Sequence, residues 1–124
     1  MLANRRGETA SVTKSLAMNR EECGTIIGVK GELTGKYFRF LPHEKVLIGK
    51  DKTQCDLCLS DARISRIHCE VYFNADKKCY SVKDVSKNGV VLDNKAKLKK
   101  DVLTDVPPGS HLFIGSTDDE VVLG

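Results

Sequence analysis

Short runs of alternating apolar and polar residues, separated by turn-forming residues, constrain the fold of this chain most strongly. The clearest is residues 80–85, where Tyr80, Val82 and Asp84 would share one face of a strand. From residue 25 onward such runs recur about every eight to twelve residues, with Gly, Pro, Asn or Asp between them. This spacing is typical of an all-β sandwich or barrel, and no helical period of useful length follows residue 24.

The individual strands can be placed from the same pattern. The predicted strands are residues 25–29, 37–41, 46–48, 69–73, 80–85, 90–92, 96–98, 111–114 and 120–123. If 69–73 and 80–85 pair as a hairpin, the polar loops 65–68 and 86–89 lie at the same end of a sheet. Residues 1–24 lack this pattern, so we interpret them as a flexible tail or linker before one domain, residues 25–124.

Composition sets limits on the class of protein. The chain has 124 residues, 40% hydrophobic and 30% charged, with a net charge of +3, as in ordinary soluble domains. There is no apolar run long enough for a membrane span and no secretory h-region, so we expect a cytoplasmic protein, and we expect a monomer. Aromatic residues are only 6%, and basic residues are mixed with acids, which argues against nucleic-acid binding. The lysines at 95, 97, 99 and 100 are interpreted as protecting an exposed hairpin edge.

Five cysteines raise the question of metal. Their odd number argues against a closed disulfide framework. Cys55 and Cys58 form a C-x-x-C pair, and His68 and Cys69 follow, so a zinc site is conceivable. No second C-x-x-C exists, however, and we predict buried structural cysteines, no metal and no cofactor.

A group of hydrogen-bond donors falls at the predicted loops. Gly49 lets the chain turn after a strand and Lys50 then presents a cation. Ser65 offers a hydroxyl and a backbone N–H, and Asn88 can both donate and accept. The full predicted set is Lys50, Ser65, Arg66, Lys87 and Asn88. Its charge and donors match a phosphate group beside a peptide backbone.

Three motifs in this order resemble those of the forkhead-associated (FHA) domain. They read V-L-I-G-K, then I-S-R-I-H-C, then Y-S-V-K-D-V-S-K-N-G-V-V-L, and the resemblance covers residues 25–124. Each motif alone is weak, but three in order within a matching strand pattern are specific. The resemblance implies a twisted antiparallel β-sandwich of about eleven short strands that binds phosphothreonine peptides and catalyses no reaction.

The resemblance also implies roles for individual residues. Lys50 takes the place of a family arginine that contacts phosphate, and it lacks that arginine's bidentate fork. Ser65 matches the serine that binds phosphate, Arg66 should face phosphate or peptide, and Lys87 should lie near the phosphate. Asn88 matches the asparagine that binds the peptide main chain just after phosphothreonine.

Other matched positions are implied to be structural. His68 matches a histidine that supports the loops from below, and Asp84 matches an aspartate before the last loop. Gly49 and Gly89 shape the loops. Arg63, two residues before Ser65, is a candidate for reading peptide side chains beyond the phosphothreonine.

The sequence contains two stretches that resemble catalytic motifs, and neither is complete. The stretch G-E-L-T-G-K-Y has only three residues between its glycines and a tyrosine where a phosphate loop needs Ser or Thr. Ser65 and His68 lack a supporting acid or oxyanion arrangement. We therefore predict a protein-interaction module, not an enzyme. The alternative is an FHA-like domain that binds proteins independently of phosphate, which the lysine at position 50 leaves open.

The predicted partners follow from this reading. They are a phosphothreonine-containing protein or peptide and an upstream Ser/Thr kinase. Thr9 and Thr13 are candidate phosphorylation sites, and a phosphorylated tail could fold back into the domain's own site at near-millimolar effective concentration.

Overall fold

The computed structural model describes residues 23–93 and 95–124 and confirms the predicted all-β class. Its strands are β1 Gly24–Lys30, β2 Tyr37–Phe40, β3 Val46–Gly49, β4 Leu57–Cys58, β5 Cys69–Asn74, β6 Cys79–Asp84, β7 Val90–Leu92, β8 Ala96–Lys97, β9 Thr104–Val106, β10 Ser110–Ile114 and β11 Glu120–Leu123. One short 3₁₀ turn, Gly31–Leu33, links β1 to β2. Thr9, Thr13 and nearly all of the predicted tail lie outside the described residues.

The strands form two sheets that enclose one core. The six-stranded sheet has the order β2-β1-β11-β10-β7-β8, and the five-stranded sheet has the order β4-β3-β5-β6-β9. A single buried apolar cluster draws residues from both sheets, including Ile26 and Leu112 from the first and Ile48 and Val82 from the second. This is the packing of a β-sandwich, as predicted.

Two features of the sheets differ from the sequence prediction. The predicted sandwich is antiparallel, whereas the short strand β4 pairs in parallel with β3, with Ile48 opposite Leu57. Strand β9 was not predicted, because a three-residue strand followed by two prolines leaves almost no alternation to detect. It pairs with β6 and forms an edge of the five-stranded sheet.

The central hairpin forms as predicted from its alternation. Along β5 and β6 the burial alternates strictly, and Tyr80, Val82 and Asp84 all face the interior. Tyr80 packs against Phe40 and Phe73 and accepts a hydrogen bond from the Thr25 N–H at 2.9 Å. Burial of so large an aromatic side chain, with its hydroxyl satisfied, anchors both sheets.

The register of this hairpin positions the candidate site. Cys69 pairs with Asp84, so the loop before β5 and the loop after β6 leave the sheet at the same end. The backbone hydrogen bond from the Val85 N–H to the His68 carbonyl, 3.0 Å, extends the pairing into both loops. At the edge of the other sheet, the described lysines 95, 97, 99 and 100 are exposed on or beside β8, as predicted.

The cysteines are less buried than predicted. Only Cys69 is fully buried, whereas Cys23, Cys55, Cys58 and Cys79 are half-buried. Burial raises the pKa of the Cys55 thiol to about 11, which disfavours the thiolate. Within residues 23–93 and 95–124, no three His, Cys, Asp or Glu side chains group as metal ligands would. The same ranges contain no helix with the length and apolar character to cross a bilayer.

Candidate functional site

Three loops meet at one end of the sandwich. The first loop, residues 50–56, connects β3 and β4; the second, residues 59–68, connects β4 and β5; the third, residues 85–89, connects β6 and β7. The Lys50 N–H donates to the Ser65 carbonyl and the Asp51 N–H to the Arg66 carbonyl, both at 3.0 Å. The first two loops are therefore joined along their backbones.

The third loop attaches to the second through side chains. The Lys87 N–H donates to Ser65 Oγ at 3.0 Å, and Asn88 Nδ2 donates to the Arg63 carbonyl at 2.8 Å. The backbones at positions 50, 65 and 87–88 thus meet around Ser65. The loops that carry the five residues of the predicted donor set are therefore joined to one another by hydrogen bonds.

His68 joins the second and third loops from beneath. It is completely buried, its Nδ1 accepts the Ser65 N–H at 3.0 Å, and its Nε2 lies 2.9 Å from the Gly89 carbonyl. Because Nδ1 accepts and a carbonyl can only accept, the ring proton is on Nε2. Burial lowers the pKa of His68, which keeps the ring neutral.

This arrangement decides what Ser65 can offer. The sequence suggested both a hydroxyl and a backbone N–H, but the N–H is taken by His68. The hydroxyl oxygen accepts from Lys87, so its own proton is directed elsewhere and remains available to an acceptor. His68 receives the main-chain N–H of Ser65 and not its hydroxyl, so the pair does not form a nucleophile and base.

The third loop is held by a second buried network. Asp84 is buried, and its Oδ1 accepts the Ser86 N–H at 2.9 Å and also the Ser86 hydroxyl. Ser86 Oγ in turn accepts the Gly89 N–H at 2.7 Å. The sequence reasoning assigned no role to Ser86; its spacing from Asp84 is that of an Asx turn, which was the available signal.

Two glycines in these loops are required by geometry. At Gly49, a Cβ would collide with the Arg66 carbonyl, so only glycine allows the first and second loops to approach this closely. Gly89 has φ +94° and lies beneath the Lys97 side chain, whose Cε a Cβ would overlap. At both positions a side chain would displace a neighbouring part of the loops.

The basic residues of the rim differ in their partners. Lys50 and Lys87 are exposed, and no carboxylate of residues 23–93 or 95–124 pairs with either. Arg66 has an 82% exposed side chain, with Nη2 3.5 Å from Asp51 Oδ2. Hydrogen bonds from the Thr53 hydroxyl and backbone N–H lower the pKa of Asp51 to about 2.

Arg63 is engaged by two carboxylates. Its Nη2 lies 2.6 Å from Asp61 Oδ2 and 2.8 Å from Asp118 Oδ2. Hydrogen bonds from the guanidinium hold the pKa of Asp61 well below its usual range. The side chain proposed to read peptide residues is thus already paired in this structure. Its backbone carbonyl, which the sequence did not suggest, holds Asn88.

Glu32 supports the second loop from the β1–β2 connection. Its carboxylate accepts from the Ser60 N–H at 2.8 Å, the Ser60 hydroxyl at 2.9 Å and the Asp61 N–H at 3.1 Å. Its own N–H donates to Asp119 Oδ1 at 3.1 Å. The sequence reasoning missed this residue because its partners lie 28 and 87 positions away, beyond any local pattern.

A family model described as "FHA domain" matches residues 46–115. The meiosis-specific serine/threonine-protein kinase MEK1 of Saccharomyces cerevisiae is 34% identical over 79 residues, 60% of this chain. The chain spans only 16% of that kinase's length.

Solved structures show the same fold. The crystal structure of the MEK1 FHA domain has a TM-score of 0.73 at 22% identity, covering 90% of this chain and 97% of that one. A second structure, the MEK1 FHA domain in complex with the HOP1 pThr318 peptide, has a TM-score of 0.68 at 21% identity, covering 82% and 95%.

Proposed function

Because this chain belongs to the FHA domain family, we propose that it binds phosphothreonine peptides through the three loops and is not an enzyme. The observation that carries the proposal is the Ser65 hydroxyl. Its oxygen accepts from the Lys87 N–H, so its proton is free to be donated. The ammonium groups of Lys50 and Lys87 on the same rim have no ion pair with the described carboxylates. A phosphate supplies three acceptor oxygens and a charge of about −1.5 to −2 to such a rim.

Lys50 is proposed as the charge partner of the phosphate. An ammonium group supplies attraction but not the two parallel hydrogen bonds of an arginine fork. Lys87, on the opposite loop, is proposed to add a second cation. Arg66, mostly exposed and weakly paired with Asp51, is proposed to contact phosphate or peptide.

Asn88 is proposed to bind the peptide backbone. One proton of its Nδ2 goes to the Arg63 carbonyl, which fixes the plane of the amide group. Among the described residues the second proton and Oδ1 have no partner, and together they match one peptide C=O and one peptide N–H. This pairing would hold a peptide in an extended conformation beside the phosphate.

The partners and setting are part of the proposal. The MEK1 FHA domain has been solved with a phosphothreonine peptide, which supports a phosphothreonine-containing protein as partner and a Ser/Thr kinase upstream. The mild charge and sparse aromatics support a protein partner over nucleic acid. Half-buried thiols support a reducing compartment, and we propose a cytoplasmic monomer.

The test is a binding titration with one peptide in phosphorylated and unphosphorylated forms. We expect only the phosphorylated form to bind, and Ser65→Ala to weaken it about 10- to 100-fold, as for loss of a hydrogen bond to a charged group. Ser81→Ala is the matched control, since Ser81 lies on β6 and its hydroxyl donates to Asp105 on β9, within the five-stranded sheet. Equal affinity for the two peptide forms would overturn the proposal.

Phosphate-independent protein binding is the second candidate. Two observations favour it: lysine in place of the family arginine, and exposed apolar side chains on the outer sheet face. Ile27 and Tyr37 pair across β1 and β2 and are 37% and 65% exposed. In that case binding would survive Ser65→Ala and would be lost in Tyr37→Ser.

A further inference from the structure

Lys97 lies directly over the third loop. A Cβ built on Gly89 would overlap with Lys97 Cε and would lie 3.1 Å from the ammonium Nζ. The glycine therefore does more than permit the left-handed backbone conformation. It leaves the space that the exposed Lys97 side chain occupies, so the ammonium lies beside Gly89.

The backbone at Lys97 is anchored on both sides. Lys97 pairs with Val91 across the β7–β8 ladder. The next residue, Leu98, is buried, and its N–H donates to the Val90 carbonyl at 2.9 Å. Since Val90 follows Gly89 directly, these contacts fix the lysine relative to the loop.

The charge of Lys97 is uncompensated in the described part of the chain. No carboxylate there pairs with it, in contrast to Arg63, which is held by Asp61 and Asp118. Lys97 is thus, like Lys50 and Lys87, a cation at this end of the sandwich that has no ion pair among the described residues. Lys97 lies on β8 of the six-stranded sheet, whereas Lys50 and Lys87 follow β3 and β6 of the five-stranded sheet.

We infer that Lys97 binds an acidic side chain of the peptide, carried by a residue near the phosphothreonine. This inference rests on the proposed function. Asn88 is the proposed contact of the peptide backbone, and the Lys97 ammonium lies beside the next residue of the loop, so a peptide held by Asn88 passes close to it. A carboxylate there could pair with the Lys97 ammonium without breaking any ion pair of the described residues.

The competing interpretation is that Lys97 only protects an exposed sheet edge. Strand β8 is an edge strand, and lysine at an edge discourages strand addition. Lys95 shares the hairpin but lies in its turn, beside Asp93, His111 and Glu120. Edge protection is independent of the peptide sequence, whereas peptide reading predicts a preference for an acidic residue that depends on Lys97.

The experiment uses a series of phosphothreonine peptides on an alanine background, with a single Glu at each of three positions on either side. In the unmodified protein we expect Glu to tighten binding about two- to fivefold at one or two neighbouring positions, as an exposed ion pair allows. Lys97→Met should abolish that advantage and keep the apolar stem over Gly89. Lys95→Met removes the same charge and should leave the advantage intact.

The outcomes separate this inference from the proposed function. If no position prefers Glu, or if the preference survives Lys97→Met, Lys97 does not read the peptide, although phosphate-dependent binding stands. Equal weakening of every peptide in Lys97→Met would make it a phosphate contact and would also overturn the inference. If the unphosphorylated alanine peptide binds as well as the phosphorylated one, the proposed function itself fails. Lys97→Glu provides a positive test, because the preferred residue should change from Glu to Lys.

Discussion

The two sides of the loop rim carry similar residues and use them differently. On one side, which we call the phosphate side, Lys50 and Lys87 have no ion pair with any described carboxylate, and Ser65 has a hydroxyl proton available. On the other, the acidic side, Arg63 is enclosed by Asp61 and Asp118. Arg63 and Lys87 each carry one positive charge. Among the described residues, however, Arg63 is paired with two carboxylates and Lys87 with none. Cationic residues near a site therefore indicate binding only once their partners are known.

The largest expected effect tests whether the phosphate side depends on its buried support. His68→Ala leaves the buried Ser65 N–H without its acceptor and removes one of two donors to the Gly89 carbonyl, which keeps the Gly115 N–H. With the space left by the buried ring, we expect a loss of about 3 kcal/mol in the free energy of unfolding. Peptide binding should fall with it, because Ser65 and the third loop lose their common attachment. Urea denaturation and a peptide titration measure the two effects.

His111→Ala is the control for that substitution, since this imidazole is half-exposed and bonds Glu120 at the outer sheet face. It should change stability by less than about 1 kcal/mol. If His68→Ala binds peptide normally, the hydrogen bonds of His68 to the second and third loops are not needed to position Ser65. The phosphate side would then not depend on its buried contacts.

The next effect is a pH dependence of folding. The pKa of His68 is lowered in the folded state, so the unfolded state takes up a proton first. The contribution of neutral His68 to the free energy of unfolding is complete above the ordinary histidine pKa of about 6.5. It is lost as the pH falls from there through the lower pKa of the folded state. Urea midpoints from pH 7.5 to pH 5 should therefore decline more in the unmodified protein than in His68→Gln. Parallel declines would show that other groups dominate.

A third prediction compares the unpaired cation with the paired one. Lys87→Met should weaken phosphopeptide binding about threefold to tenfold, because an exposed cation opposite a phosphate contributes roughly 1 kcal/mol. The loss should shrink at high salt, where exposed charges are screened. Titrations at about 0.05 M and 0.5 M salt would reveal a non-electrostatic role if both gave the same ratio.

The smallest expected effect is that of Arg63→Met. Since the guanidinium already satisfies two carboxylates, its removal should change phosphopeptide affinity by less than about twofold. Its backbone carbonyl, which holds Asn88, is retained in the variant. A loss as large as that of Lys87→Met would mean that Arg63 leaves its carboxylates to bind peptide, and the two sides of the rim would no longer differ.

Much of the fold was accessible from the sequence because alternation and turns are local signals. The β5–β6 hairpin was predictable since each strand has six residues and strict alternation. The parallel pairing of β3 with β4 was not, because a two-residue strand has no pattern and its register comes from tertiary packing. The strand β9 was not predicted for the same reason, because three residues are too few to show alternation.

The candidate site divides in a similar way. The positions of Ser65, Lys87 and Asn88 follow from loop motifs, and their roles remain predictions. The partners that give those residues their properties are distant in sequence. Arg63 meets Asp118 from 55 positions away, and His68 meets Gly89 from 21. No local pattern encodes such contacts, so whether a cation is free or a hydroxyl is directed outward requires the folded chain.

The single tautomer of His68 makes this residue a natural reporter. We expect a ring proton that is buried on Nε2 and bonded to a carbonyl to exchange slowly with solvent. It should therefore give its own resolved signal in a proton spectrum, at a frequency separate from those of surface imidazoles. That one resonance would follow the assembly of the second and third loops in any variant, without an added ligand or label.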